Sequence, residues 1–136
     1  MLNLNYSLDN LTYHYLIAAL WSSCSEKDIP LDKDYTVDDF APLSVLEALN
    51  DCRVILSTVE TLSKYMDIEE EYKEKVESYI KDTEQIGHDF WLTRNGHGAG
   101  FWDRGLGNLG EALTTISNAF REKYVFVDTD GLLYFD

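Results

Sequence analysis

Leu106, Leu109, Leu113, Ile116 and Phe120 follow one another at spacings of 3, 4, 3 and 4. That is the repeat of one face of an α-helix, and a chain that carries it must bury that face. The spacing predicts a helix over 106–122, with Arg121 and Lys123 suited to the negative end of its dipole. The same period recurs upstream. Val45, Leu49, Cys52, Leu56, Val59 and Met66 form a stripe that Leu46, Ile55 and Leu62 widen, so a second helix is predicted over 42–64. Pro42 fits its first turn, where a missing N–H costs little, and Asp38 and Asp39 stand just ahead of it.

Three more helices follow from weaker stripes. Leu11, Tyr15, Ala18 and Ala19, flanked by Leu16, Leu20 and Trp21, predict a helix over 10–23 capped by Asp9 or Asn10. Its apolar arc is wide, which places it centrally. Ile68, Tyr72, Val76, Tyr79 and Ile80 predict a helix over 68–81. Ile86, Phe90 and Thr93 predict another over 83–95, with Thr83 as its cap and Asn95-Gly96 as its stop. The chain then closes on YVFVDTDGLLYFD. Two β-rich runs around Asp-Thr-Asp-Gly predict a hairpin over 124–135 with Gly131 at positive φ. Val125, Val127, Leu133 and Phe135 share one face, and Tyr124, Phe126, Leu132 and Tyr134 the other. A two-stranded hairpin is not stable alone, so it must pack on the helices, and its outer face is left to pair with something else. The expected fold is mainly α (α+β): one domain, 1–136, of about five helices with a C-terminal β-hairpin.

Charge restricts the function. The chain holds 25 acidic and 11 basic side chains, a net charge of −14. Phosphate backbones repel such a surface, so direct nucleic-acid binding is not expected, and a partner with a basic surface is attracted instead. The acids gather in two stretches. Asp28, Asp32, Asp34, Asp38 and Asp39 lie in a connector broken by Pro30, and Glu69, Glu70, Glu71, Glu74 and Glu77 lie in the third helix. Together they form the expected acidic partner face, although a helix rich in Glu is also simply a solvated one. No apolar run reaches the roughly 20 residues that cross a bilayer. MLNLNYSLDN has no basic residue ahead of an apolar run, so neither a signal nor a transit peptide is read there. Cys24 and Cys52 form no CxxC pair and are read as two reduced thiols, with a disulfide between them left open.

The segment His88–Gly107, HDFWLTRNGHGAGFWDRGLG, resembles nothing else in the chain. It holds two of the three Trp, two of the three His, two of the four Arg and five of the eight Gly. Three readings compete. As a catalytic site it offers His88, Asp89, His97 and Asp103 as base, orienter or ligands, yet it contains no GxSxG, no phosphate loop and no HExxH. The spacing H-x8-H-x5-D fits no zinc pattern, so neither metal nor cofactor is expected. As a binding surface it offers Trp91, Arg94, His97, Phe101, Trp102 and Arg104, the residue types that dominate interfaces. As a folding element it is a helix end, a glycine loop and the start of the next helix. Asp89 or Asp103 would then accept from the indoles and pair with Arg94 and Arg104, and Gly98 and Gly100 would stand where a Cβ does not fit.

DFWLTRNGHGAGFWDRGLG, with the YVFVDTDGLLYF hairpin, the A-L-W-S of the first helix and DYTVDDFAP ahead of the second, resembles a group of short acidic proteins encoded by tailed bacteriophages and prophages. The resemblance is close over 87–110 and looser over 111–135. It implies a phage origin and a place in the cytoplasm of the bacterial host, and it carries over no catalytic residue. The expected function is an accessory protein that binds and modulates a host protein, as a counter-defence inhibitor seated on the basic nucleic-acid-binding surface of a host enzyme. The alternative is a small hydrolase or nucleotide-processing enzyme built on His88, Asp89, His97 and Asp103.

Overall fold

The computed structural model describes residues 4–136, with side chains described from Tyr6 onward, so residues 1–3 of the N-terminal stretch lie outside the described residues. Five helices are present among the described residues: α1 Leu4–Ser22, α2 Pro42–Tyr65, α3 Lys73–Tyr79, α4 Thr83–Arg94 and α5 Asn108–Ala119. A C-terminal antiparallel hairpin joins β1 Val125–Val127 to β2 Leu133–Phe135. Short 3-10 turns lie at Leu31–Lys33, Val37–Asp39, Glu70–Tyr72 and Phe101–Asp103. The mainly α fold with a terminal hairpin is the one the periodicities predict.

The packing of α1 on α4 is the centre of the molecule. Leu11, Tyr15, Ala18 and Ala19 of α1 are buried, as are Ile86, Phe90 and Trp91 of α4. The two backbones meet at Gly87, where a Cβ would collide with the carbonyl oxygen of Leu11. Tyr15 joins them to the hairpin: its ring lies 5.2 Å from Phe90, 5.3 Å from Trp91 and 6.4 Å from Phe135. The hairpin seats Val125 and Leu133 in the core and turns Phe126 and Tyr134 outward, stacked at 5.9 Å. Gly131, at φ +82°, closes the turn, and its N–H donates to the Asp128 carbonyl at 2.9 Å.

Several boundaries differ from the sequence reading. α1 is not capped at Asp9 or Asn10. It runs through them, and the Asn10 amide instead donates to Thr83 Oγ1 at 2.7 Å, tying α1 to the start of α4. α4 is capped by Asp82, whose carboxylate accepts from the Gln85 N–H at 3.1 Å, so Thr83 is already helical. The predicted 68–81 helix is a 3-10 turn followed by the short α3. α5 begins at Asn108 because Gly107 sits at φ +59° against the Tyr72 ring, while Leu106 stays buried ahead of it. On α2 the buried face is Ser44, Ala48, Cys52, Ile55, Leu56 and Val59, leaving Val45 and Leu46 exposed. Ser44 and Ala48 are buried in place of the larger Val45 and Leu46, a choice that a hydrophobicity stripe does not reveal.

Candidate functional site

The glycine-aromatic segment is built around two buried ionic hubs. Asp89, fully buried on α4, accepts from Tyr79 Oη at 2.5 Å, from Gln85 Nε2 at 2.9 Å and from Arg104. The Arg104 fork reaches it through Nη2 at 2.7 Å and Nε at 3.0 Å. This joins α3, α4 and the turn after Phe101–Asp103 at one carboxylate. The bond to Asp89 raises the affinity of Arg104 for its proton, and burial together with the Asp89 charge pushes the Tyr79 hydroxyl far above its ordinary range. Such an aspartate is fully committed as an acceptor.

Arg94, 2% exposed at the end of α4, forms the second hub. Nη1 donates to Asp51 at 2.8 Å and to Tyr15 Oη at 3.0 Å. Nη2 and Nε donate to the carbonyls of Phe120 and Arg121 at 2.8 and 2.9 Å. Phe120 is the C-cap of α5 and Arg121 the residue after it, so Arg94 satisfies a terminal carbonyl of that helix from inside the core and holds the turn that leaves it. Arg121 and Lys123, the residues the sequence offers to the dipole, do not take that place: Arg121 adopts φ +68°, and Lys123 pairs with Glu47 at 2.9 Å. The expected partner for Arg94, a carboxylate of its own segment, is likewise replaced by Asp51 of α2.

The remaining expectations for the segment divide. The Trp91 indole donates to Ser22 Oγ at 2.7 Å, not to Asp89 or Asp103. Trp91, Arg94 and Phe101 are interior side chains, and of the three Trp91 also lines a cleft. Gly100 is required: a Cβ there would collide with Thr93 Oγ1, which also accepts the Phe101 N–H at 3.1 Å. Gly98 is not required, since nothing lies within 4 Å of its Cβ position. Apart from glycines, the exposed residues of the segment are His97, Trp102 and Asp103, with His88, Asn95 and Arg104 half-buried.

The four catalytic candidates therefore occupy different surroundings. His88 is half-buried beside Trp21, ring centroids 5.8 Å apart, with its Nδ1 buried and unpartnered. Burial lowers its proton affinity below the ordinary histidine value. Asp89 is consumed by Arg104. His97 lines a cleft of about 360 Å³ together with Ser22, Cys24, Asn95 and Tyr124, and neither His88, Asp89 nor Asp103 lines it. Asn95 in that cleft is tied down, since its Nδ2 donates to the Trp91 carbonyl and its Oδ1 accepts from the Lys123 N–H. Among the described residues, no three His, Cys, Asp or Glu side chains gather as a metal ion would need.

The acidic residues lie outside this machinery. Asp28, Asp32, Asp34, Asp38, Glu69, Glu70, Glu71, Glu74 and Glu77 are exposed. Asp39 is half-buried, with Oδ2 accepting the Thr36 N–H at 2.7 Å. Among the described residues only Glu70 of these ten is held by a cation, Lys73 at 2.9 Å. The two acidic stretches border different clefts. Glu26, Lys27, Leu31 and Tyr35 line one of about 410 Å³ beside the hairpin, and Asp67, Lys73 and Glu77 line another of about 280 Å³. Both cysteines are free, Cys24 exposed and Cys52 buried, and burial raises the Cys52 thiol well above its usual range. Among the described residues, no helix is long and apolar enough to cross a membrane. The chain matches no family model, no curated protein and no solved structure.

Proposed function

We propose that this chain is a non-enzymatic accessory protein of phage origin that acts in the host cytoplasm. It binds a host protein through its acidic surface and occupies the basic, nucleic-acid-binding face of a host enzyme as a counter-defence inhibitor. One contrast carries the reading. Asp89 and Arg94, the most chemically distinctive groups of the unusual segment, are spent on buried structural bonds, whereas the acids of the two clusters stand in solvent with little compensation. A surface of one sign in water steers a partner of the opposite sign and competes with phosphate for it. The resemblance to phage-encoded proteins supplies the setting.

The test begins with capture from bacterial lysate on the immobilised protein. The captured protein's association rate is then measured against salt and against two charge-neutralised variants. One carries Asp28→Asn, Asp32→Asn, Asp34→Asn and Asp38→Asn, and the other Glu69→Gln, Glu70→Gln, Glu71→Gln and Glu74→Gln. The association rate should fall about tenfold or more from low to high salt and in at least one variant. Duplex DNA or RNA should displace the protein. Association indifferent to salt and to both variants removes the proposal.

A further inference from the structure

The two edges of the hairpin are treated differently. Tyr124 pairs with Asp136 through both backbone bonds, at 3.2 and 2.8 Å, and the Asp128 N–H donates to the Leu132 carbonyl at 2.9 Å. With the register Phe126↔Tyr134, the N–H and C=O groups of Tyr124, Phe126 and Asp128 point toward β2. Those of Val125 and Val127 then point the other way. On β2 the corresponding outward carbonyl, that of Leu133, is covered, accepting the Ala41 N–H at 3.0 Å beside the Phe40↔Leu133 bridge. The outer edge of β1 has no such cover among the described residues.

A groove runs along that open edge. The cleft of about 360 Å³ and the cleft of about 410 Å³ share Cys24 and Val125 as lining residues, so they adjoin. The opposite wall is the turn after α1. There Cys24 bridges Pro30 through bonds made by its neighbours, Ser25 N–H to the Ile29 carbonyl and Leu31 N–H to the Ser23 carbonyl. In that ladder the N–H and C=O of Cys24 itself point away from Pro30. Apolar lining comes from Leu31, Tyr35, Trp91 and the exposed Phe126, and the charged lining is Glu26 and Glu122 with Lys27 and Lys123. Of the two cations, Lys123 is already held by Glu47.

We infer that this groove accepts an extended segment of another protein, which adds a strand to β1 and alternates apolar with basic side chains. Outward amides and carbonyls on Val125 and Val127 supply the pairing, as in other strand additions to a sheet edge. At about 3.3 Å per residue, Tyr124 to Val127 offers a pairing length of three or four residues. Side chains alternate across a strand, so every second residue of the occupant enters the apolar lining and the others face the charged rim, where the net charge of −14 of the whole chain favours basic side chains. A second copy is disfavoured because it brings another net charge of −14. The basic character of the occupant rests on the function proposed above; the strand pairing does not.

The probe is an end-blocked nine-residue peptide alternating lysine and valine, set beside one alternating glutamate and valine. Added to the intact protein, the lysine peptide should bind and slow amide exchange at Val125 and Val127 by about tenfold or more, and the glutamate peptide should bind at least about tenfold more weakly. Val127→Pro removes an outward N–H that the hairpin does not use, so the fold should persist, checked by its melting curve, while binding is lost. A maleimide adduct on Cys24 should block the groove independently of any change in the strand. Binding of the lysine peptide without protection at Val125 and Val127, or undiminished by both modifications, overturns the groove while leaving the acidic reading intact. Equal binding of the two peptides overturns the basic occupant, and no binding overturns the inference. A dimer that Val127→Pro dissociates assigns the edge to a second copy and overturns it also. Peptide capture at the edge together with salt-indifferent lysate capture sustains the pairing site and removes the proposed function, so the two failures are distinct.

Discussion

Asp89→Asn keeps the shape of the side chain and removes its charge. The carboxylate now receives Tyr79 Oη, Gln85 Nε2 and two nitrogens of Arg104, all donors. An amide presents one acceptor oxygen and an NH₂ that faces donors, so at least one neighbour loses its partner. Breaking a buried pair by removing one partner costs about 3–5 kcal/mol. Arg104 is 29% exposed, so water restores part of its solvation and the lower end applies. The buried Tyr79 hydroxyl adds to the loss if it is the donor left unpaired. The expected cost is about 3 kcal/mol, which for a domain of this size lowers the melting midpoint by roughly 10 °C. The assay is urea unfolding at neutral pH with the denaturant slope unchanged. Arg104→Met and the double variant complete a cycle whose coupling should exceed about 1 kcal/mol. A cost under about 0.5 kcal/mol for Asp89→Asn, or no coupling, would refute the claim that this carboxylate holds the fold.

Three further outcomes are expected. Gly87→Ala should cost about 3 kcal/mol or more and Gly100→Ala about 1–3 kcal/mol, because each Cβ meets a fixed neighbour, whereas Gly98→Ala should be neutral or slightly stabilising in the same melts. One thiol, Cys24, should react with a disulfide reagent in the native protein, and Cys52 only after unfolding; two fast thiols would contradict its burial. His88 has its proton affinity lowered by burial beside Asp89, Arg104, His14 and Glu84, so the unfolded chain binds its proton first as pH falls below 6.5. Its share of stability is therefore present above that pH and lost on acidification, and His88→Gln should flatten the decline between pH 6.5 and 5 measured by urea midpoints.

The helices and the hairpin were legible because their signals are local. Leu106 to Phe120 repeat at the helical period, and Asp-Thr-Asp-Gly with Gly131 at φ +82° needs only its own four residues to turn. Asp89 was legible as an ion-pair residue and Arg104 as its neighbour, since both lie in one short segment. What the sequence could not determine is which groups meet across long separations. Arg94 finds Asp51, Tyr15 and the end of α5, and Trp91 finds Ser22, because α1, α2 and α5 converge on one end of α4. Gly87 reads as a weak helix residue until the carbonyl of Leu11 is seen against it. The open edge of β1 depends on the same kind of fact. Hydrogen bonding within a hairpin follows from its register, but Phe40 and Ala41 cover the edge of β2, while among the described residues the groove lined by Cys24 borders that of β1. Local pattern fixes an element by the conformational cost of its own residues; contacts between distant residues are settled only when burial of every apolar face is satisfied at once.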